Sequence, residues 1–207
     1  MSAVKLSIIY YSRTGTVRSM AEHLYKAAED QGAEARLRPV TEAASGGWLE
    51  SNESFRPQED RTPGGHHAAT AADITWADVV LFGTPTRFGN VAGQFKQFLD
   101  TLGPQWAAGE LADKVYAGFV ATQTPHGGQE STLLALYNSI HHFGGVVVSP
   151  GYTDSVKFAD GNPYGVGHVT GPDNDNPLGS TETDALDHLV SRAISVAARL
   201  KNIPPSL

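Results

Sequence analysis

The chain contains no cysteine. That absence excludes disulfides, thiol nucleophiles, cysteine-ligated zinc and iron–sulfur clusters, and it fits a reducing compartment. No apolar run approaches the roughly 20 residues needed to span a bilayer. Residues Met1 to Tyr11 read as a strand rather than a secretory leader, since no apolar stretch ends in a small-residue cleavage site. A cytoplasmic protein without membrane insertion is the expectation. Positive charge is also scarce: 15 Lys and Arg stand against 22 Asp and Glu, a formal net charge of -7. The basic residues are scattered, so a nucleic-acid partner is not expected.

The 207 residues are 40% hydrophobic, enough for one domain with a substantial core. Apolar runs alternate with amphipathic segments along the whole chain. Leu6 to Tyr11, Ala33 to Val40, Val79 to Gly83, Val115 to Ala121 and Val146 to Val148 read as strands. Between them, helical stripes run through Val17 to Ala28, Val91 to Leu102, Leu133 to Ile140 and Leu186 to Ala197. Thr181 with Asp184 resembles a capping box for the last helix. Alternating strands and helices predict a three-layer α/β/α fold around an open parallel sheet. Five strands favour the flavodoxin-like order 2-1-3-4-5. Two stretches interrupt the alternation, 41–72 and 153–180, both rich in glycine and proline. They read as insertions, the second placed to fold over a site or a neighbouring subunit.

Ligands in such sheets bind beyond the carboxyl ends of the strands, which directs attention to three loops. After the first strand, Ser12-Arg13-Thr14-Gly15-Thr16-Val17 opens directly into a helix. It offers hydroxyls, a turning glycine and helix-end N–H groups, which together suit a terminal phosphate. It lacks the Walker lysine and the dinucleotide glycine fingerprint. A plain N-cap by Ser12 or Thr14 is the alternative. After the third strand, Thr84-Pro85-Thr86-Arg87-Phe88-Gly89-Asn90 forms a rigid, amide-rich turn suited to the edge of a flat heterocycle. After the fourth, Thr122-Gln123-Thr124-Pro125-His126-Gly127-Gly128-Gln129 again places hydroxyls and glycines before a helix. His126 is a possible proton donor, although a lone loop histidine is usually solvated. Trp106 reads as a core or interface aromatic.

With those three loops in view, the chain resembles the flavodoxin-like NAD(P)H:quinone oxidoreductases called WrbA. Pro85-Thr86-Arg87-Phe88-Gly89-Asn90 is the specific part, and the similarity runs along nearly the whole chain. The resemblance implies non-covalent FMN, NADH or NADPH as donor, a quinone as two-electron acceptor, and a homotetramer whose subunits build the site together. It assigns Ser12 to Val17 to the FMN phosphate, and Pro85 to Asn90 with Thr122 to Gln129 to the ring and ribityl chain. Tyr11 matches a nicotinamide-nucleotide position and Trp106 a substrate position. The family carries a histidine pair before the fifth strand. Ungapped, its FMN-associated member falls on Phe143 and the other on His142, and His142 is carried forward as the flavin-side residue. Gln123, Pro125 and His126 stand where the family has small residues. A flavodoxin-type electron carrier without its own substrate and a flavin-free binding protein on the same fold are the rival readings.

Overall fold

The structure is a computed structural model describing residues 2–41 and 67–202. Most of the first expected insertion, residues 42–66, lies outside the described residues. Six strands form one parallel sheet: β1 (Lys5–Tyr10), β2 (Glu34–Pro39), β3 (Val79–Pro85), β4 (Val115–Thr122), β5 (Val146–Val147) and β6 (Val166–Val169). Their order is β2-β1-β3-β4-β5, the flavodoxin-like order. The fifth position is shared by two short strands in tandem. β5 pairs with Val115 and Tyr116 at the start of β4, and β6 pairs with Phe119 to Thr122 at its end.

Seven helices are described: α1 (Thr16–Asp30), α2 (Ala71–Trp76), α3 (Gly93–Asp100), α4 (Gly103–Ala107), α5 (Gln129–Phe143), α6 (Val156–Asp160) and α7 (Ser180–Leu200). Two-residue alternation along the strands divides the core between the sheet faces. Leu6, Ile8 and Tyr10 of β1 pack with Met20 and Leu24 of α1 and with Leu186, Leu189 and Ala193 of α7. Ile9 and Tyr11 face the other way, with Phe82, Phe95 of α3 and Leu133, Leu136 and Ile140 of α5. The central strands β3 and β4 are buried almost end to end, which explains their unbroken apolar sequence.

The 153–180 segment differs from the expected loop. It holds α6, β6 and the start of α7. Its glycines, which obscured β6 in the sequence, are there for close approach. A Cβ at Gly165 would lie 2.3 Å from the Gly118 carbonyl oxygen, and one at Gly167 would lie 1.5 Å from Gln129 Oε1. The α7 cap also differs. Gly179 is the N-cap, and its N–H donates to the Glu182 carboxylate at 3.1 Å, so the Thr181–Asp184 pair does not form the box.

A buried ion pair anchors this segment. Lys157 is 0% exposed at its side chain and Asp160 3%; Lys157 Nζ donates to Asp160 and, at 2.9 Å, to the Gly165 carbonyl. Burial pushes the Lys157 ammonium down and the Asp160 carboxyl up from their ordinary values, each toward its neutral form. Their mutual contact opposes both shifts. Lys157→Met, which strands Asp160 in the interior, is expected to cost about 3–5 kcal/mol in urea unfolding, and the double variant Lys157→Met/Asp160→Leu to recover most of it. Equal stability of the single variant and the wild type would contradict this.

Candidate functional site

The loops that follow β1, β3 and β4 meet at the carboxyl edge of the sheet and enclose a cavity of about 500 Å³. That volume lies within the roughly 300–1,000 Å³ of small-molecule and cofactor sites.

The first loop supplies Ser12, Arg13, Thr14, Thr16 and Val17 to the lining. α1 opens from Gly15, whose φ of 99° is left-handed, and no side chain caps the helix. The capping alternative for Ser12 and Thr14 therefore does not hold. The N–H groups of the first turn have no acceptor within the helix, and the helix dipole is positive there. No acidic residue occupies that turn. The Ser12 hydroxyl is buried without a hydrogen-bond partner. A buried unsatisfied hydroxyl costs about 1–3 kcal/mol unless something meets it.

The second loop supplies Pro85, Thr86, Arg87 and Phe88. Arg87 and Asn90 exchange both backbone hydrogen bonds, at 2.7 and 3.0 Å, around Phe88 (φ 52°) and Gly89 (φ 74°). Two positive φ values make this the tight turn of a two-residue hairpin. A phenylalanine in the left-handed region is strained, and this one is also fully exposed, at 108%. The turn thus holds an aromatic ring out at the rim of the cavity. Arg87 Nη1 donates to the Thr86 carbonyl at 2.9 Å.

Thr122, Gln123, Thr124 and Gly127 come from the third loop. Thr122 donates to the Thr124 carbonyl at 2.8 Å, and Gly127 N–H donates to the same oxygen at 3.0 Å. α5 also begins from a left-handed glycine, Gly128 (φ 93°), without a side-chain cap. The second and third loops are clasped by a residue the sequence reading missed. Thr132, fully buried, shares a 2.6 Å hydrogen bond with the Thr86 hydroxyl. Only its place one turn into α5, facing the neighbouring loop, marks it, and sequence alone does not show that facing.

Three further lining residues were also missed: Ala121, and Thr170 and Asn174 from the β6–α7 connection. Two arginines, Arg13 and Arg87, belong to the lining.

Not every expected residue reaches the cavity. Gly15, Gly89, Asn90 and Gly128 shape the loops without lining it. The Gln129 side chain packs against Gly167 of β6. His126 is exposed and outside the lining. Tyr11 is 2% exposed within the core. Trp106 and His142 lie together, the indole Nε1 donating to the His142 carbonyl at 2.8 Å. They sit at the opposite edge of the sheet, because α5 starts beside the cavity and runs back for 15 residues, about 20 Å.

Sheet order, glycine-opened α1 and a cavity at the carboxyl edge define a flavodoxin-like α/β protein. The chain belongs to the family described as NADPH-dependent FMN reductase, whose model matches residues 5–159. It is 39% identical over 198 residues to the NAD(P)H dehydrogenase (quinone) of Deinococcus radiodurans, covering 95% of this chain and 97% of that one. The enzyme of the same name from Geotalea daltonii is 35% identical, with 95% and 98% covered. Among solved structures, a WrbA-like flavodoxin from Agrobacterium tumefaciens shares the fold with a TM-score of 0.66 at 23% identity, covering 95% of this chain and 99% of that one. The family expected from the Pro85–Asn90 hexapeptide is thus the family found.

Thr132→Val keeps the shape but removes the short hydrogen bond, leaving the Thr86 hydroxyl only its long contacts of 3.4 and 3.5 Å to the Gly127 and Gly128 carbonyls. It should cost about 1–2 kcal/mol and lower Tm by roughly 2–8 °C. Differential scanning calorimetry checks this, and an unchanged Tm would contradict the clasp.

Proposed function

We propose that this chain is an FMN-dependent NAD(P)H:quinone oxidoreductase, folded as one flavodoxin-like domain over residues 1–207 and working in the cytoplasm. The observation that carries the proposal is the partnerless buried Ser12 hydroxyl beside an uncapped α1 N-terminus. A phosphate monoester supplies what both lack, since it accepts from hydroxyl and N–H donors alike. The family match and the full-length relatives named NAD(P)H dehydrogenase (quinone) support FMN, a nicotinamide donor and a quinone acceptor.

FMN, when bound, supplies two-electron chemistry between a reduced nicotinamide and a quinone. The chain's own residues bind and orient. Ser12, Thr14, Thr16 and the first turn of α1 hold the phosphate. Pro85 to Asn90 and Thr122 to Gln129 hold the ring and the ribityl chain, with Phe88 at the rim. Arg13 and Arg87 line the same cavity and add N–H donors to its wall. Donor and acceptor use the cavity in turn, which is a ping-pong cycle.

Trp106 and His142 lie at the far end of α5 from the cavity and do not line it within one protomer. Assembly as a homotetramer brings a neighbour's pair to the cavity mouth, where Trp106, 56% exposed, offers a face to the quinone. The ring of Tyr11, expected at the nicotinamide nucleotide, is buried in the protomer and does not line the cavity.

The test is steady-state oxidation of NADH and NADPH by FMN-loaded protein with benzoquinone. Quinone-dependent turnover with parallel double-reciprocal lines is expected. Trp106→Ala should raise the quinone KM while leaving bound flavin unchanged. Flavin binding without quinone-dependent turnover would instead mark an electron carrier and overturn the enzymatic reading.

A further inference from the structure

The cavity has a fourth wall, the connection between β6 and α7. Thr170 and Asn174 belong to it. Asn174, Thr14 and Thr16 also line a smaller adjoining cleft of about 200 Å³. Asn174 therefore shares both spaces with the two threonines assigned to the phosphate.

Its position is fixed from several sides. Asn174 is left-handed, with φ 57°, a conformation that asparagine and aspartate adopt more readily than other side-chain-bearing residues. Its N–H donates to the Gly171 carbonyl at 3.2 Å, and its amide meets the Thr170 hydroxyl at 3.0 Å. Thr170 is tied to the third loop, its N–H donating to the Thr122 carbonyl at 2.7 Å. Gln123 reaches over to the Pro172 carbonyl at 3.1 Å. Behind the wall, buried His168 stands 3.0 Å from the Asn176 carbonyl and 3.2 Å from the Glu182 carboxylate. The fourth wall is thus built against the third loop and the α7 cap.

Charge is arranged around this residue in a telling way. The local sequence is Asp173-Asn174-Asp175, and both acids are exposed. Asp175 lines only the smaller cleft, and Asp173 lines neither. The one member of the three that faces the cavity is the neutral amide, which carries two N–H donors and no charge.

We propose that Asn174 is a specificity-determining residue of the cofactor site: from the fourth wall of the cavity that Thr14 and Thr16 also line, it donates to the same terminal phosphate, and its neutrality admits a dianion there. This rests on the FMN reading. Two substitutions keep the left-handed backbone. Asn174→Gly removes the amide, and Asn174→Asp replaces it with a carboxylate.

The experiment is calorimetric titration of flavin-stripped wild type and both variants with FMN and with riboflavin, which lacks the phosphate. Asn174→Gly should weaken FMN binding about 3- to 10-fold, the loss of one good hydrogen bond. Asn174→Asp should weaken it by more than about 10-fold through like-charge repulsion. Riboflavin affinity should stay within about 2-fold in both. Equal losses for the two flavins, or none for FMN, would overturn the proposal while leaving the FMN reading standing. A wild type that binds neither flavin would bring down the FMN reading itself. If either variant unfolds, the other carries the comparison.

Discussion

A helix that begins with a glycine leaves its first-turn N–H groups to an outside acceptor. In α1 that vacancy coincides with a buried, partnerless Ser12 hydroxyl and with the absence of any acid in the first turn. A plain N-cap would satisfy part of this from within the chain. The chain instead keeps donors unsatisfied at the carboxyl edge of a parallel sheet, and the other loops converge on that point. Any anion that binds there is linked to folding, so the folded state gains stability from it by mass action.

The rest of the edge is organised around this demand. β1 and β3 place their loops side by side because they are neighbours in the sheet, and β4 adds the third. The Thr86–Thr132 hydrogen bond locks the second loop to α5, and Thr170 locks the fourth wall to the end of β4. Lys157 and Asp160 hold the chain that leads into β6, so a structural ion pair remote from the cavity positions one of its walls. The strained turn at Phe88 is over-determined by two backbone hydrogen bonds, which is what such a conformation requires to persist.

The three loops after β1, β3 and β4 were legible in the sequence because strand ends and helix starts are local signals, and parallel-sheet geometry says where ligands bind. The sheet order followed instead from the expected five strands, which favour the flavodoxin-like arrangement that the sheet adopts. β6 was not legible, since Gly165 and Gly167 remove the apolar alternation that marks a strand, and they do so to let β6 approach Gly118 and Gln129. Thr170 and Asn174 lie some fifty residues beyond the third loop, so only the folded chain brings them to it. The same applies in reverse to Trp106 and His142. The resemblance carried His142 to the flavin and Trp106 to the substrate, but the return path of α5 sets both at its far end, outside the cavity lining. Tyr11 shows a third kind of gap: the end of an inward-facing alternation buries its ring even at the edge that binds the ligand.

The most direct measurement is a crystal structure of the protein grown with FMN. Density for the phosphate within hydrogen-bonding distance of the Ser12 hydroxyl and the first-turn N–H groups of α1 is the expected result. Flavin bound elsewhere, or a phosphate that leaves Ser12 without a partner, would contradict the account.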